Sequence, residues 1–300
     1  MINITMLGTS CMVPTKERGA PGIYAEIKGK GMLFDCGEGT QRQMNIAGIS
    51  RTKVRYIFIS HWHADHMAGL LGLVQTIGAS SEAPELDVYG PNGTKELFRN
   101  LMHASLFENR VNIKVHELNC PKRKAILKTD DFTVEAINLY HNVPTLGFRL
   151  SENDTLKVNA AKLKKVGIRE GPALAALQQG KDLHIDGKTY PAKDYTYTKH
   201  GKSMTYVADT GFTQSAVELA KDTDLLICEA TYTKKHEDRA RDHSHLTSEQ
   251  SAQIASMSNA GSLLLTHFSQ RYKTLTDTLE EARVIYPKAE LAHDLLQKKL

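Results

Sequence analysis

The stretch that decides the fold is residues 54–66, VRYIFIS followed by HWHADH. Its first seven residues are mostly β-branched or aromatic and predict a buried strand. The apolar segment 67–78, MAGLLGLVQTIG, predicts a helix packed under a sheet. Four polar side chains therefore gather where this strand ends: His61, His63, Asp65 and His66. Imidazole nitrogens and carboxylate oxygens are ligands that Zn²⁺ prefers, with Mn²⁺ or Fe as alternatives, so this stretch predicts a metal site.

Strands and helices alternate on both sides of this stretch, which predicts an α/β body. Apolar or alternating runs predict strands at 2–8, 22–27, 31–36, 86–90, 111–118, 124–129, 132–141, 203–209, 223–230 and 261–268. Helices are expected at 39–48, 91–106, 212–221, 247–258 and 275–286, the second of them beginning at Pro91. Residues 1–149 and 203–300 are therefore interpreted as one domain that an insertion interrupts.

The insertion, residues 150–202, differs from the rest of the chain in composition and charge. It contains several glycines and prolines between short polar stretches, with one helix expected near 172–179. It holds ten Lys or Arg against six Asp or Glu, so it accounts for the whole net charge of +4. Such a surplus is a candidate polyanion-binding surface, although composition alone favours a lysine-rich solvated face.

Length and composition exclude several classes of protein. The chain has 300 residues, of which 41% are hydrophobic and 24% charged, as in an ordinary globular protein and unlike a disordered one. No apolar run approaches the ~18 residues that cross a bilayer, and the first residues do not resemble a signal peptide. Four scattered cysteines form no CxxC pair, which favours free thiols in a reducing cytoplasm.

The HWHADH stretch resembles the HxHxDH signature of the metallo-β-lactamase superfamily, and further motifs resemble those of ribonuclease Z. In chain order these motifs are LGTS with Pro14, Thr15 and Arg18; FDCGEGTQRQ at 34–43; ADT at 208–210; CEATY at 228–232; and THFSQRY at 266–272. The resemblance runs through nearly the whole chain. It implies a four-layer αββα sandwich and an endoribonuclease that removes the 3′ trailer from precursor tRNA, leaving a 3′-hydroxyl on the tRNA and a 5′-phosphate on the trailer.

The resemblance also implies a set of seven metal ligands for two Zn²⁺ ions per subunit. The first ion would be held by His61, His63 and His141, and the second by Asp65, His66 and His267, with Asp209 bridging them. Two such ions would hold the phosphate oxygens of an in-line displacement. The Asp equivalent to Asp35 supports a ligand histidine in the family, whereas an ordinary turn aspartate is the alternative interpretation.

Three residues are expected to move or steer protons. Asp65 would accept a proton from the attacking water as a general base, besides binding metal. The family pattern around HLT fits His245 better than His243, so His245 would protonate the departing 3′ oxygen. Glu229 would orient His245 by fixing its tautomer.

Residues 150–202 occupy the position of the tRNA-binding arm of ribonuclease Z, between His141 and Asp209. Within them 166–174 resembles the arm's glycine–proline element, although Glu170 departs from the pattern, as does Gly19 in the N-terminal loop. The resemblance implies precursor tRNA as partner and a homodimer, while the sparse cysteines and the short apolar runs predict a cytoplasmic location without a membrane partner.

Two other functions remain open on the sequence alone. A phosphodiesterase of the same superfamily would act on small phosphodiesters and would not need a basic insertion. An RNA-binding protein with a structural metal would use a closed site of four ligands, whereas seven candidates are present here.

Overall fold

The computed structural model describes residues 1–79, 85–108, 110–168, 171 and 174–300. In these residues the chain forms two compact units, one from Met1–Ser151 with Lys202–Leu300 and one from Glu152–Gly201. None of the helices in the described ranges is long and apolar enough to cross a membrane.

The larger unit contains two seven-stranded sheets, and the first comes mainly from the N-terminal half of the chain. Its strands, from one edge to the other, are β20 (Gln297–Lys299), β1 (Asn3–Gly8), β3 (Gly22–Ile27), β4 (Lys30–Phe34), β5 (Val54–Phe58), β6 (Glu85–Pro91) and β7 (Asn112–Leu118). Strands β3 and β4 form the expected hairpin, and β4 to β7 run parallel. Four helices accompany this sheet: α1 (Thr40–Ile46), α2 (Ala64–Met67), α3 (Leu70–Gly78) and α4 (Thr94–Met102).

The second sheet comes from the middle and the C-terminal part of the chain. Its strands, again from edge to edge, are β19 (Ala289–Leu291), β17 (Leu263–Thr266), β16 (Leu225–Glu229), β15 (Ser203–Val207), β10 (Thr145–Glu152), β9 (Phe132–Leu139) and β8 (Lys124–Lys128). Its helices are α8 (Gln214–Ala220), α9 (Glu237–Asp242), α10 (Ser248–Met257) and α11 (Thr276–Ile285). A short parallel pair, β2 (Ser10–Cys11) with β18 (Phe268–Ser269), lies outside both sheets.

Apolar packing arranges these elements in four layers. Between the sheets lies an aromatic core, in which Phe58 of the first sheet contacts Phe148 of the second at 5.5 Å between ring centroids. A second cluster packs Leu73 and Phe98 of the helices against the outer face of the first sheet. A third packs Ile254 and neighbouring residues of α8, α10 and α11 against the second sheet. The order helix, sheet, sheet, helix is the predicted αββα order.

The smaller unit has two antiparallel strand pairs and three short helices among its described residues. The elements are β11 (Thr155–Val158) with β14 (Thr196–Lys199), β12 (Leu183–Ile185) with β13 (Lys188–Tyr190), and α5 (Ala160–Lys165), α6 (Ala175–Gln178) and α7 (Ala192–Tyr195). A small core of its own holds it together: Leu163, Leu177, Leu183 and Ala192. Of the stretch that resembles the glycine–proline element, residues 169, 170, 172 and 173 lie outside the described ones.

Three sequence expectations about elements were wrong. Pro91 does not begin a helix, because it is the last residue of β6 and pairs with Leu118, and α4 begins at Thr94. The segment 67–78 is not one helix, since α2 and α3 divide it around Gly69. The insertion contains more than one helix: α6 lies within the expected range 172–179, of which residues 172 and 173 are outside the described ones, and α5 and α7 were not predicted.

Candidate metal centre and proton-transfer site

The candidate ligands follow strand ends of both sheets. His61 comes after β5, His141 after β9, Asp209 after β15 and His267 directly after β17. The backbone of His267 has a φ of 61°, in the left-handed region that residues other than glycine rarely adopt. Four strands thus deliver side chains to one edge of the sandwich.

All seven residues expected to bind metal meet at this edge. His61, His63, His141 and Asp209 form one group, and Asp65, His66 and His267 form another. Within each group one nitrogen or oxygen of every side chain lies within 4.8 Å of the others. A third group links Asp209 and His267 to His245. His243 is exposed and belongs to none of these groups of described residues.

Hydrogen bonds through Nδ1 turn the Nε2 atoms of four histidines inward. Nδ1 lies 3.0 Å from Ser60 Oγ in His61, 2.7 Å from Asp35 Oδ2 in His66, 3.0 Å from the Ser244 carbonyl in His141, and 2.9 Å from Thr231 Oγ1 in His267. In His63 it is Nδ1 that faces the other histidines, at 2.9 Å from His61 Nε2 and 3.4 Å from His141 Nε2. Such outer partners fix the tautomer of a histidine that binds metal.

The burial and contacts of the Asp209 carboxylate indicate whether a metal would fit this site. Its side chain is 3% exposed, and its Oδ1 has no hydrogen-bond partner in the described part of the chain. That oxygen lies 3.2 Å from His267 Nε2 and 3.4 Å from His66 Nε2, while Oδ2 lies 3.6 Å from His61 Nε2. A buried carboxylate without a hydrogen bond is costly, whereas one that binds cations through both oxygens is satisfied. Its position between the two groups fits a bridging ligand.

Burial and the neighbouring carboxylates shift the pKa values of the clustered histidines in opposite directions. Burial lowers the pKa of His61, His63 and His141, which favours the neutral form that can bind a metal. Burial acts in the same direction on His66 and His267, but the charge of Asp209 outweighs it and raises the pKa of both.

Asp65 and Asp209 are ionised despite their surroundings. Burial acts to raise the pKa of both carboxyls, yet the neighbouring histidines hold each pKa below its usual range. Asp65 Oδ2 lies 3.5 Å from His66 Nε2 and 3.6 Å from His267 Nε2.

His245 and Glu229 form a hydrogen-bonded pair beside the clusters. His245 Nδ1 lies 3.0 Å from Glu229 Oε1 and 4.0 Å from Asp209 Oδ2. Burial acts to lower the pKa of His245, but the charges of Glu229 and Asp209 prevail and raise it to about 9. A histidine with this pKa carries a proton at neutral pH and can give it to a reacting group.

Asp35 contacts the cluster of candidate ligands through His66 Nδ1. Its Oδ2 accepts hydrogen bonds from His66 Nδ1 and from the Tyr206 hydroxyl at 2.8 Å, and its Oδ1 accepts the Ser60 N–H at 2.7 Å. It supports a histidine of the cluster and lies outside the three candidate groups.

Sequence reasoning missed the roles of Thr231, Ser60 and Tyr206. Thr231 Oγ1 contacts both Glu229 and His267 Nδ1, so it joins the proton-transfer pair to the cluster. The CEATY motif contains Thr231 and was the only signal that could have singled it out. Nothing near Ser60 or Tyr206 in the sequence marks them as partners of Asp35.

Comparisons with known proteins agree with this site. Residues 22–142 match the metallo-beta-lactamase superfamily, and residues 170–268 match the beta-lactamase superfamily domain. Ribonuclease Z of Protochlamydia amoebophila is 37% identical, over 98% of this chain and 95% of its own length. Ribonuclease Z of Methanothermobacter thermautotrophicus is 36% identical, over 99% and 96%.

A solved structure extends the comparison to three dimensions. Human tRNase Z, short form, matches with a TM-score of 0.72 at 28% identity, over 99% of this chain and 98% of that one. The predicted αββα fold is thereby confirmed as the metallo-β-lactamase fold. The chain belongs to the ribonuclease Z family, whose members are endoribonucleases of the metallo-β-lactamase superfamily.

Proposed function

We propose that this chain is a metal-dependent endoribonuclease that removes the 3′ trailer from precursor tRNA. The observation that carries the proposal is the buried Asp209 carboxylate between two groups of histidines, whose Oδ1 accepts no hydrogen bond from the described residues, in a chain of the ribonuclease Z family.

Two divalent cations would be held by the seven clustered side chains. His61, His63 and His141 would bind one and Asp65, His66 and His267 the other, with Asp209 shared. The nitrogen and oxygen donors suit Zn²⁺, with Mn²⁺ or Fe as alternatives. When bound, the cations supply Lewis-acid stabilisation of the charge that develops on the scissile phosphate.

Asp65 and His245 divide the proton transfers. Asp65, whose Oδ2 faces His66 and His267, would take a proton from the attacking water as general base. The water oxygen bonds to phosphorus as the bond from phosphorus to the tRNA 3′ oxygen breaks. His245 gives its proton to that departing oxygen, and Glu229 holds the imidazole through Nδ1. The products are a tRNA with a 3′-hydroxyl and a trailer with a 5′-phosphate.

The smaller unit would bind the RNA through its lysines. Five of its lysines, all exposed, lie on or near its strands and helices: Lys157, Lys164, Lys188, Lys193 and Lys199. Lysine contacts to phosphates bind a polyanion without reading bases. We place this enzyme in the cytoplasm, in keeping with its four free cysteines, and expect a homodimer as its working form.

The test compares two substrates in the presence and absence of a chelator. One is a labelled 3′-extended tRNA and the other is bis(p-nitrophenyl) phosphate. The proposal expects cleavage of both, loss of both with chelator, and loss of activity together with a lower metal content in Asp209→Ala. His103→Ala, which changes an exposed histidine outside the clusters, is the matched control. Hydrolysis of the small diester alone would instead favour a small-substrate phosphodiesterase, and tRNA binding without cleavage an RNA-binding protein.

A further inference from the structure

The N-terminal segment Ser10–Gly19 forms a closed loop. The Ser10 N–H donates to the Gly19 carbonyl at 2.9 Å, which brings the two ends of the loop together. Inside it, the Thr15 N–H donates to the Arg18 carbonyl at 2.7 Å. Arg18 Nη2 donates to the Tyr272 carbonyl at 2.9 Å, so the far side of the loop is also attached.

This loop contacts the candidate catalytic site through the Cys11 side chain, which interacts with His267, and through the Met12 backbone. The Met12 N–H donates to Asp65 Oδ2 at 2.8 Å. The same oxygen faces His66 and His267, so the Met12 N–H helps to determine which way the Asp65 carboxylate points.

Met12 cannot hold this position by itself. Its backbone has a φ of 59°, in the left-handed region that disfavours methionine, and its side chain is 75% exposed. Because the side chain packs against little, the conformation depends on how firmly the ends of the loop are fixed.

Asp294 binds residues at both ends of the loop, the first of which is also held by the pairing of β2 with β18. Its Oδ1 accepts the Thr9 hydroxyl at 2.8 Å, just before the loop, and its Oδ2 accepts the Gly19 N–H at 2.7 Å, where the loop ends. Oδ2 also accepts Gln43 Nε2 of α1 at 2.7 Å, which ties the loop to the body of the sandwich. Three donors from separate parts of the chain thus converge on one carboxylate.

We propose that Asp294 is a positioning residue for hydrolysis, acting through the loop and the Met12 N–H on Asp65. The inference rests on the role of Asp65 in the proposed function. Asp294 is not required to anchor its own segment, because its neighbours Ala292 and Leu296 pack into the core between the sheets. Removing its carboxylate should therefore loosen the loop without unfolding the protein.

The test compares Asp294→Ala with Asp294→Asn in the full-length, metal-loaded protein. The asparagine oxygen can still accept the Gly19 and Gln43 donors, and its NH₂ group can donate to the Thr9 hydroxyl, which is free to rotate. We expect Asp294→Ala to lower kcat for bis(p-nitrophenyl) phosphate about 10- to 100-fold at similar KM, because catalysis is sensitive to misplacement of about 1 Å. Hydrogen exchange of residues 10–19 should accelerate, and Asp294→Asn should restore both quantities toward wild type.

Controls separate this inference from the proposed function. Asp131→Ala removes a carboxylate that binds Lys28 and Lys30 and should leave kcat unchanged. If Asp294→Ala does not fold, Thr9→Val removes one of the three hydrogen bonds and should lower kcat to a smaller extent. A folded Asp294→Ala or Thr9→Val with wild-type kcat overturns the inference. Inactivity of the wild-type protein on both the diester and precursor tRNA would overturn the proposed function instead.

Discussion

His245 Nδ1 lies 3.0 Å from Oε1 of Glu229, a carboxylate with no solvent exposure. Because a carboxylate only accepts hydrogen bonds, the proton of this contact belongs to His245 Nδ1. The same carboxylate accepts the Thr210 N–H at 2.7 Å, so its own position is fixed. Glu229 therefore holds the imidazole in one tautomer and stabilises its protonated form.

Replacing His245 with alanine should slow cleavage without removing the metals. We expect the single-turnover rate on 3′-extended tRNA to fall about 10²- to 10⁴-fold, the range typical of a lost general acid. Metal content and RNA affinity should stay near wild type. His243→Ala is the matched control, since it changes an exposed histidine two residues away. A larger loss in His243→Ala than in His245→Ala would contradict the assignment.

Glu229→Gln should shift the pH dependence of cleavage. The charge of Glu229 raises the pKa of His245, against the effect of burial, so a neutral side chain lowers that pKa. A general acid works only while protonated, and the rate must therefore decline at a lower pH in the variant than in the wild type. The pH profile of the single-turnover rate measures this alkaline limb. An unmoved limb would show that the titrating acid is another group.

Asp35→Asn should weaken metal binding, although Asp35 is not proposed as a ligand. Asp35 accepts a hydrogen bond from His66 Nδ1–H, which leaves Nε2 unprotonated and free to bind metal. An asparagine NH₂ group facing Nδ1 would force the proton onto Nε2. We expect a loss of about 10- to 100-fold in metal affinity, measured by competition with a chelating dye.

Tyr206→Phe provides the control for Asp35→Asn. It removes one hydrogen bond to the same Asp35 oxygen but keeps the charge and the contact with His66. Its loss of metal affinity should be clearly smaller. Equal losses in the two variants would mean that packing around Asp35, and not the tautomer of His66, controls the site.

Lysines of the smaller unit should affect RNA binding and leave the chemistry intact. Lys164 and Lys165 are exposed residues of α5, so replacing both with alanine preserves the core of the smaller unit. Deleting residues 163–186 would instead remove three leucines from that core: Leu163, Leu177 and Leu183. We expect weaker binding of precursor tRNA and a salt dependence flatter by about 0.7–0.9 per lost phosphate contact. Hydrolysis of bis(p-nitrophenyl) phosphate should not change. The control is Lys288→Ala, which changes an exposed lysine of the larger unit. An unchanged salt dependence in the α5 variant would mean that Lys164 and Lys165 do not contact the RNA.

The sequence predicted most strands because their burial leaves a local apolar pattern, as in VRYIFIS before His61. Strand β10 was missed because Arg149 interrupts its pattern with a charge. In the structure Arg149 is buried, and its guanidinium donates to the carbonyls of Leu219 and Lys221 and to the Ser203 hydroxyl. Those acceptors come from distant positions, so no local pattern predicts that a charge belongs in a central strand.

The candidate site likewise contains residues that a local sequence pattern marks and residues that only the fold brings to their partners. HWHADH could be recognised because four residues with metal-binding chemistry lie within six positions. The Tyr206 hydroxyl meets Asp35 across 171 positions of sequence, and Thr231 reaches His267 across 36. Hydroxyl groups are common in every protein, so their roles become visible only when the fold brings them to their partners.

The most direct test of the central claim is the chemical identity of the ends produced from a 3′-extended precursor tRNA. If water attacks phosphorus and the 3′ oxygen departs with a proton from His245, the tRNA ends in a 3′-hydroxyl and the trailer begins with a 5′-phosphate. The account predicts these two ends at one position next to the discriminator nucleotide, formed only without chelator. A 2′,3′-cyclic phosphate on the tRNA, or cleavage that continues with chelator present, would contradict it.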